Sequence, residues 1–236
     1  MMTPHTDNFS FDDLCNNLKD GVNFSFSRIA SDGELNAIMG KSGQNCDAHP
    51  YDPKMGKELK AIIESPQRYI LGLQNMAYNH QHKSGEYVFR PYVDLVTEKY
   101  GHKWCVSDII HHASIKGRFE PEFIPALEGK NIVLVAPSRL SGLRTKYPKS
   151  FSNMTHIVIP DVYCYKAFDE TLKSLKKEVQ EDDVVLYCAS MMTKILIDRL
   201  FDVHGNNITQ IDLGSSVEPY LNYNNRSYHK NIKSRV

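Results

Sequence analysis

Val184-Val185-Leu186-Tyr187-Cys188, a helix-like stretch from Met192 to Phe201, then Thr209-Gln210-Ile211-Asp212-Leu213: this run of chain decides the fold. The first segment is short and apolar throughout, so it reads as a strand covered on both faces. The middle segment is long enough for three helical turns, and the last is again of strand length. Upstream the same alternation repeats. Asn131-Ile132-Val133-Leu134-Val135-Ala136 is a strand ending in Pro137-Ser138, and His156-Ile157-Val158-Ile159 is a strand stopped by Pro160. Tyr165 to Val179 carries Phe168, Leu172, Leu175 and Val179 on one stripe and charge on the other, the pattern of a surface helix.

The first half is punctuated less evenly. Phe24-Ser25-Phe26-Ser27 and Tyr69-Ile70-Leu71-Gly72-Leu73 read as strands, and Gly56 to Glu64 as a helix closed by Pro66. Arg90 to Lys99 reads as a helix opened by Pro91, with Val93, Val96 and Tyr100 at helical spacing. Trp104 to Ser114 is mixed and receives no assignment. The expectation is an α/β fold, Rossmann-like, with a mostly parallel sheet and helices on both faces. No Gly-, Ser- or Pro-rich linker divides the chain, so one domain is expected over residues 21–222, between an N-terminal extension (1–20) and a basic C-terminal tail (223–236).

At 236 residues the chain has ample length for a buried core, and its 41% hydrophobic content is ordinary for a globular protein. Lys plus Arg equals Asp plus Glu at 28 each, so no whole-chain field draws in nucleic acid or anionic membrane. Five cysteines stand scattered with no Cys-x-x-Cys spacing, which fits a reducing compartment. With no signal-like leader and no apolar run of spanning length, a cytoplasmic location is expected. The tail carries Arg226, His229, Lys230, Lys233 and Arg235 among Tyr220, Tyr223 and Tyr228. Rings for bases and cations for phosphates suit DNA as a partner, although a solvated terminus is the simpler reading.

Ligands of open α/β sheets sit beyond the carboxyl ends of the strands. Those ends are Ser31 to Glu34, Pro137-Ser138-Arg139, Pro160-Asp161, Ala189-Ser190-Met191 and Asp212-Leu213-Gly214. Gly-x-Gly-x-x-Gly, the P-loop and Gly-x-Ser-x-Gly are all missing from the sequence, so a phosphate would be held without a glycine-rich cradle. On an extended chain Asp32 and Glu34 point the same way, with Gly33 between them admitting close approach. Two hard oxygen donors with Arg28 nearby suit Mg²⁺ or Mn²⁺ holding a phosphate. Ser-Asp-Gly-Glu before Leu35-Asn36-Ala37-Ile38-Met39 is equally a helix start capped by Ser31 or Asp32. Gly40 to Pro53 reads as a loop beside this pair.

Arg28 with Asp32-Gly33-Glu34 resembles the Arg-x-x-Asp-Gly-Glu signature of the GT-D glycosyltransferases, with one extra residue after Arg28. Three further segments resemble that family in order: Phe89-Arg90-Pro91-Tyr92-Val93-Asp94, Trp104 to Asp108, and Asp183 through Ser215 with its Asp212-x-Gly214 ending. The resemblance runs from about Phe24 to about Tyr220, and Ala189-Ser190-Met191-Met192 replaces a loop that often contains glycine.

The resemblance implies a GT-D type fold and a metal-dependent transferase that moves a sugar from a nucleoside-diphosphate sugar, a UDP-sugar first among them. The acceptor would be a hydroxyl of a glycan or glycoprotein. Asp32 and Glu34 would bind Mn²⁺ or Mg²⁺. Arg28, Ser31, Gly33, Arg90, Pro137, Ser138, Ser190, Asp212 and Gly214 would line the nucleotide and substrate site. Asp94 joins Asp32 and Glu34 as a catalytic candidate, although an Arg90–Asp94 salt bridge along one helix is an even alternative. A base for the acceptor proton is sought among Asp94, Asp108, Asp161, Asp212, Glu218, His111 and His112. Outside this resemblance, a metal-dependent phosphotransferase or hydrolase, and a nucleotide-binding module without turnover, remain open.

Overall fold

The computed structural model describes residues 8–29, 33–45, 48–74, 89–223, 229 and 232. Ser31 and Asp32 and most of the basic tail lie outside the described residues. Seven strands form one sheet: β1 (Ser25–Ile29), β2 (Ile70–Leu73), β3 (Trp104–Val106), β4 (Ile132–Pro137), β5 (Met154–Ile159), β6 (Val184–Tyr187) and β7 (Thr209–Asp212). Every pairing is parallel, in the order β3-β2-β1-β7-β6-β4-β5.

Successive side chains along a strand point to opposite faces, and each face has its own core. On one face Ile29, Leu71, Trp104, Val135, Val185 and Tyr187 pack under α2 (Glu34–Ile38), α3 (Pro53–Ile63), α4 (Phe89–Tyr100), α6 (Phe168–Glu178) and α7 (Met192–His204). On the other, Phe24, Phe26, Leu134, Leu186 and Ile211 pack under α1 (Phe11–Asp20), α5 (Ile109–Ile115) and helical turns at 119–127 and 138–146. The α/β sandwich expected from the apolar strands is therefore the one found, with the sheet parallel throughout.

Local chemistry accounts for the element ends. Ser10 and Asp13 make a reciprocal capping box at the start of α1, and Gly21 closes it in the left-handed region. The residues before 21 thus supply a helix whose Phe11, Leu14, Cys15 and Leu18 are buried in the second core. Asp52 caps α3 through the amides of Lys54 and Met55, with Pro53 in the first turn. The unassigned stretch 104–114 contains a three-residue strand and a seven-residue helix, both too short for periodicity to show.

Two glycines permit close backbone approaches near the carboxyl edge of the sheet. A Cβ on Gly72 would meet Ser107 Cα at 2.7 Å and the Phe26 ring at 3.1 Å. Gly72 lies opposite Arg28 in the β1–β2 register, so its bare backbone lets the turn after β3 come in toward that arginine. A Cβ on Gly56 of α3 would meet the Ala37 carbonyl oxygen of α2 at 2.5 Å, so α2 and α3 cross in near backbone contact.

Candidate functional site at the carboxyl edge of the sheet

Along the carboxyl edge of the sheet three cations and five carboxylates form three ion groups: Lys194 with Glu34 and Asp212, Arg28 with Asp108, and Arg139 with Asp161 and Glu218. Lys194, in the first turn of α7, sits 2.7 Å from Glu34 Oε1 and 2.9 Å from Asp212 Oδ2. All three side chains are buried, with exposures of 7%, 5% and 0%. Lys194 Nζ also donates to the Ser190 carbonyl at 3.3 Å. Burial alone would push the Lys194 ammonium down; Asp212 and Glu34 outweigh it, and the group ends above the ordinary lysine value and stays charged.

Across the sheet, Arg28 projects on the face that bears Phe26 and donates to Asp108 Oδ1 at 2.9 Å. Arg139, in the turn after β4, holds Glu218 at 2.7 Å and also pairs with Asp161. The turn carrying Glu218 (Glu218–Leu221) lies against the turn 138–142, which carries the chain beyond β7 away from β1. Cys188 stands at the end of β6 near Glu218, Asp212, Arg139 and Arg28, and its thiol is pushed up by burial first and by those carboxylates second.

Gly33 is the N-cap of α2, and Glu34 its first residue. The chain has therefore left the extended state at Glu34, which does not lie on the strand face expected for it. The helix-start reading describes Glu34, while Ser31 and Asp32 lie outside the described residues. A Cβ on Gly33 would meet Met191 at 3.4 Å and the Asn45 side chain at 3.9 Å, so Asn45, from the stretch expected to be a loop, lies beside this segment.

Gly214 is bound to its place twice over. Its φ is +55°, and a Cβ there would run into the Arg28 guanidinium, while its amide donates to Asp212 Oδ1 at 3.0 Å. We expect Gly214→Ala to lose about 1 kcal/mol of stability from the left-handed backbone and to break the Arg28–Asp108 contact, checked by urea unfolding and a crystal structure of the variant. An unmoved Arg28 would show that Gly214 does not set the position of the arginine.

The other expected residues divide. Ser190 is brought in, through its carbonyl and a left-handed φ of 50°. Pro137 is buried at the end of β4 and Ser138 exposed after it, on the Arg139 side. Arg90 and Asp94 pair with each other at 3.6 Å along α4, and no described contact joins them to the Lys194 group. His111 and His112 are neighbours on α5 with ring centroids 6.4 Å apart. Among the described residues no three His, Cys, Asp or Glu form a metal cluster. Tyr220 is buried and stacks on Phe119 at 4.8 Å, so it offers no free ring to a nucleic-acid base.

Sequence reasoning missed Lys194 and His49. Lys194 had a signal in its position, a lone cation among Met192, Thr193, Ile195 and Leu196. His49 had none: it sits in a polar loop, yet it is buried beside Cys164, with Nδ1 3.8 Å from the sulfur.

No helix among the described residues is long and apolar enough to cross a membrane. No protein-family model matches the chain, and no curated protein sequence does. Solved structures do match. One, described as a new glycosyltransferase (DUF1792) from Streptococcus sanguinis, superposes with a TM-score of 0.65 at 15% identity, over 90% of this chain and 82% of that one. Another, whose description states that domain of unknown function 1792 has a distinct glycosyltransferase fold, gives 0.63 at 19% identity over 92% and 82%. At these identities the likeness speaks for architecture: the seven-stranded parallel sheet carries the glycosyltransferase fold that the GT-D resemblance led one to expect.

Proposed function

We propose that this chain is a glycosyltransferase that moves a sugar from a nucleoside-diphosphate sugar, with UDP as the first nucleotide to test, to an acceptor hydroxyl of a glycan or glycoprotein. The observation that carries the reading is the charged edge itself, set in a glycosyltransferase fold: along it Glu34 and Asp212 hold Lys194, Asp108 holds Arg28, and Asp161 and Glu218 hold Arg139. In the transfer the bond between the sugar C1 and the diphosphate oxygen breaks, its electron pair leaving with the diphosphate. The acceptor oxygen bonds to C1 and gives its proton to a base.

Mg²⁺ or Mn²⁺ fits this edge in charge and donor type. Glu34 and Asp212 face the single cation Lys194, an excess of negative charge at that end of the edge, and their oxygens are the hard donors such ions prefer. Asp32 and Glu34 would hold the ion, Lys194 fixing the Glu34 carboxylate through one oxygen. When bound, the ion neutralises charge on the leaving diphosphate. Arg28, pinned between Asp108 and Gly214, faces the same edge.

The test is thermal unfolding against a panel of nucleoside-diphosphate sugars, with and without Mn²⁺. We expect one donor to raise the melting temperature only with metal present, by the equivalent of about 2.7 kcal/mol at a hundredfold excess over Kd. Glu34→Gln should abolish the metal-dependent part. Stabilisation that is equal with and without metal would remove the ion from the scheme, and release of phosphate in place of sugar transfer would assign a hydrolase.

A further inference from the structure

β5 is the last strand of the sheet and pairs with β4 alone among the described strands. Its sequence, Met154-Thr155-His156-Ile157-Val158-Ile159, contains no charged residue, no proline and no glycine. Its register with β4 runs unbroken from Met154 to Ile159, with no bulge. Charge, proline, bulges and shortness are the devices that keep an exposed edge from pairing with another chain. The opposite edge, β3, uses one of them, being three residues long. β5 uses none.

The register fixes which backbone groups face out. The Ile132 N–H donates to the Asn153 carbonyl at 2.9 Å, so Asn153 and every second residue after it turn toward β4. Met154, His156 and Val158 therefore turn their N–H and C=O groups away from the sheet. The Met154 carbonyl is taken by the Arg144 guanidinium. The outward groups of His156 and Val158 make no described bond. The side chains agree with an open edge: Val158 is 58% exposed and Ile157 only half-buried.

We propose that this edge is an interface between two copies of the chain, their β5 strands pairing antiparallel about a two-fold axis at Ile157. The inference does not depend on the reaction. Charge selects a second copy as the occupant. Arg144 sits at the start of β5, and Asp161, 57% exposed, follows its end. Antiparallel pairing lays the start of one strand against the end of the other, so each Arg144 comes beside Asp161 of the second copy. Along the strand itself no like charges are opposed, because burial holds the His156 imidazole below its usual value and keeps it neutral.

The occupied groups also select the register. A slip that sets Met154 against Val158 needs the carbonyl that Arg144 already holds. A slip the other way sets His156 against Pro160, which has no N–H to give. The ladder that remains places His156 opposite Val158 of the second copy, both backbone bonds being exchanged, and Ile157 opposite itself. The two sheets then continue as one across the axis.

The test is sedimentation of the full chain from about 1 to about 200 μM, a span that brackets micromolar association. We expect the wild-type mass to rise toward that of a dimer, and Val158→Lys to stay monomeric. Urea unfolding at the lowest concentration should be alike for the two, since position 158 is exposed. Ile157→Cys should cross-link two copies on oxidation, because directly opposed Cα atoms lie about 4.5 Å apart, within disulfide reach. Thr155→Cys should not, because its counterpart lies about 13 Å along the strand. A dimer that survives Val158→Lys overturns the proposal by placing the contact on another surface. Cross-linking of Thr155→Cys as readily as Ile157→Cys overturns the register. A wild type that stays monomeric throughout overturns the second copy as occupant, and if it then binds a synthetic β5 peptide the edge belongs to an extended segment of another protein.

Discussion

Lys194→Met should lower the stability of this protein by about 3–5 kcal/mol, read as a shift of the urea midpoint with an unchanged slope. The substitution keeps most of the volume and removes the ammonium from between Glu34 and Asp212. Both carboxylates are at least 95% buried, by the exposures of 5% and 0%, and each loses the cation closest to it. An uncompensated buried charge is far more damaging than the intact pair is stabilising. The loss should also be local. Lys194 connects α7 to the start of α2 and to the end of β7, so amide exchange should quicken first in α2, which is only five residues long. The companion Glu34→Gln leaves Lys194 with Asp212 and should be much milder. Equal stability of Lys194→Met and wild type would mean that the three groups are not a unit.

How much of this was legible in the sequence depends on how much local pattern each part carried. β4 and β6 are unbroken apolar runs, and a strand buried on both faces has no other way to look. The helices α4, α6 and α7 were visible because each presents apolar residues at helical spacing. β3 and α5 were not, since three residues of strand and two turns of helix fall below any window that can separate periods of 2 and 3.6. At the site, Glu34, Asp212 and Gly214 stood at strand ends, where open α/β sheets hold ligands, while Arg28 came from its nearness to the acidic pair and from the GT-D resemblance. Their pairings were invisible because the partners come from distant chain: Lys194 reaches Glu34 across 160 residues of sequence, and Asp108, named only as a candidate base, reaches Arg28 across 80. Asp94 pairs with Arg90 along its helix, the alternative that the i,i+4 spacing offered beside a role in the site.

The architecture separates two kinds of surface along one edge. Because side chains alternate across a strand, Arg28 falls on one face while Asp212 meets Lys194 on the other. The face on which Arg28 emerges is thus a consequence of register, and a one-residue slip of β1 would carry it to the other side of the sheet.

Gly56→Val should lower stability by about 3 kcal/mol and depress activity further than that loss explains. Gly56 lies in the interior of α3, where a side chain would ordinarily favour the helix, so the glycine is there for packing. The obstacle is the Ala37 carbonyl oxygen 2.5 Å from the Cβ position, with the Ala37 carbonyl carbon at 3.2 Å. These are backbone atoms and cannot rotate aside. Relief must come from moving α2 as a body, and α2 begins at Glu34. A displacement of that helix pulls the Glu34 carboxylate off Lys194 and alters the segment that Met191 packs against. Gly56→Ala should give the same effect in smaller degree, since the clash is partly offset by about 1 kcal/mol of helix propensity. The measurement is a pair: urea unfolding of both variants, and donor-dependent thermal stabilisation at a temperature where each remains folded. Loss of the donor response in a folded Gly56→Val protein is the expected result. A variant as stable as wild type with full donor response would show that α2 and α3 part without disturbing the site, and that their close crossing plays no part in positioning Glu34.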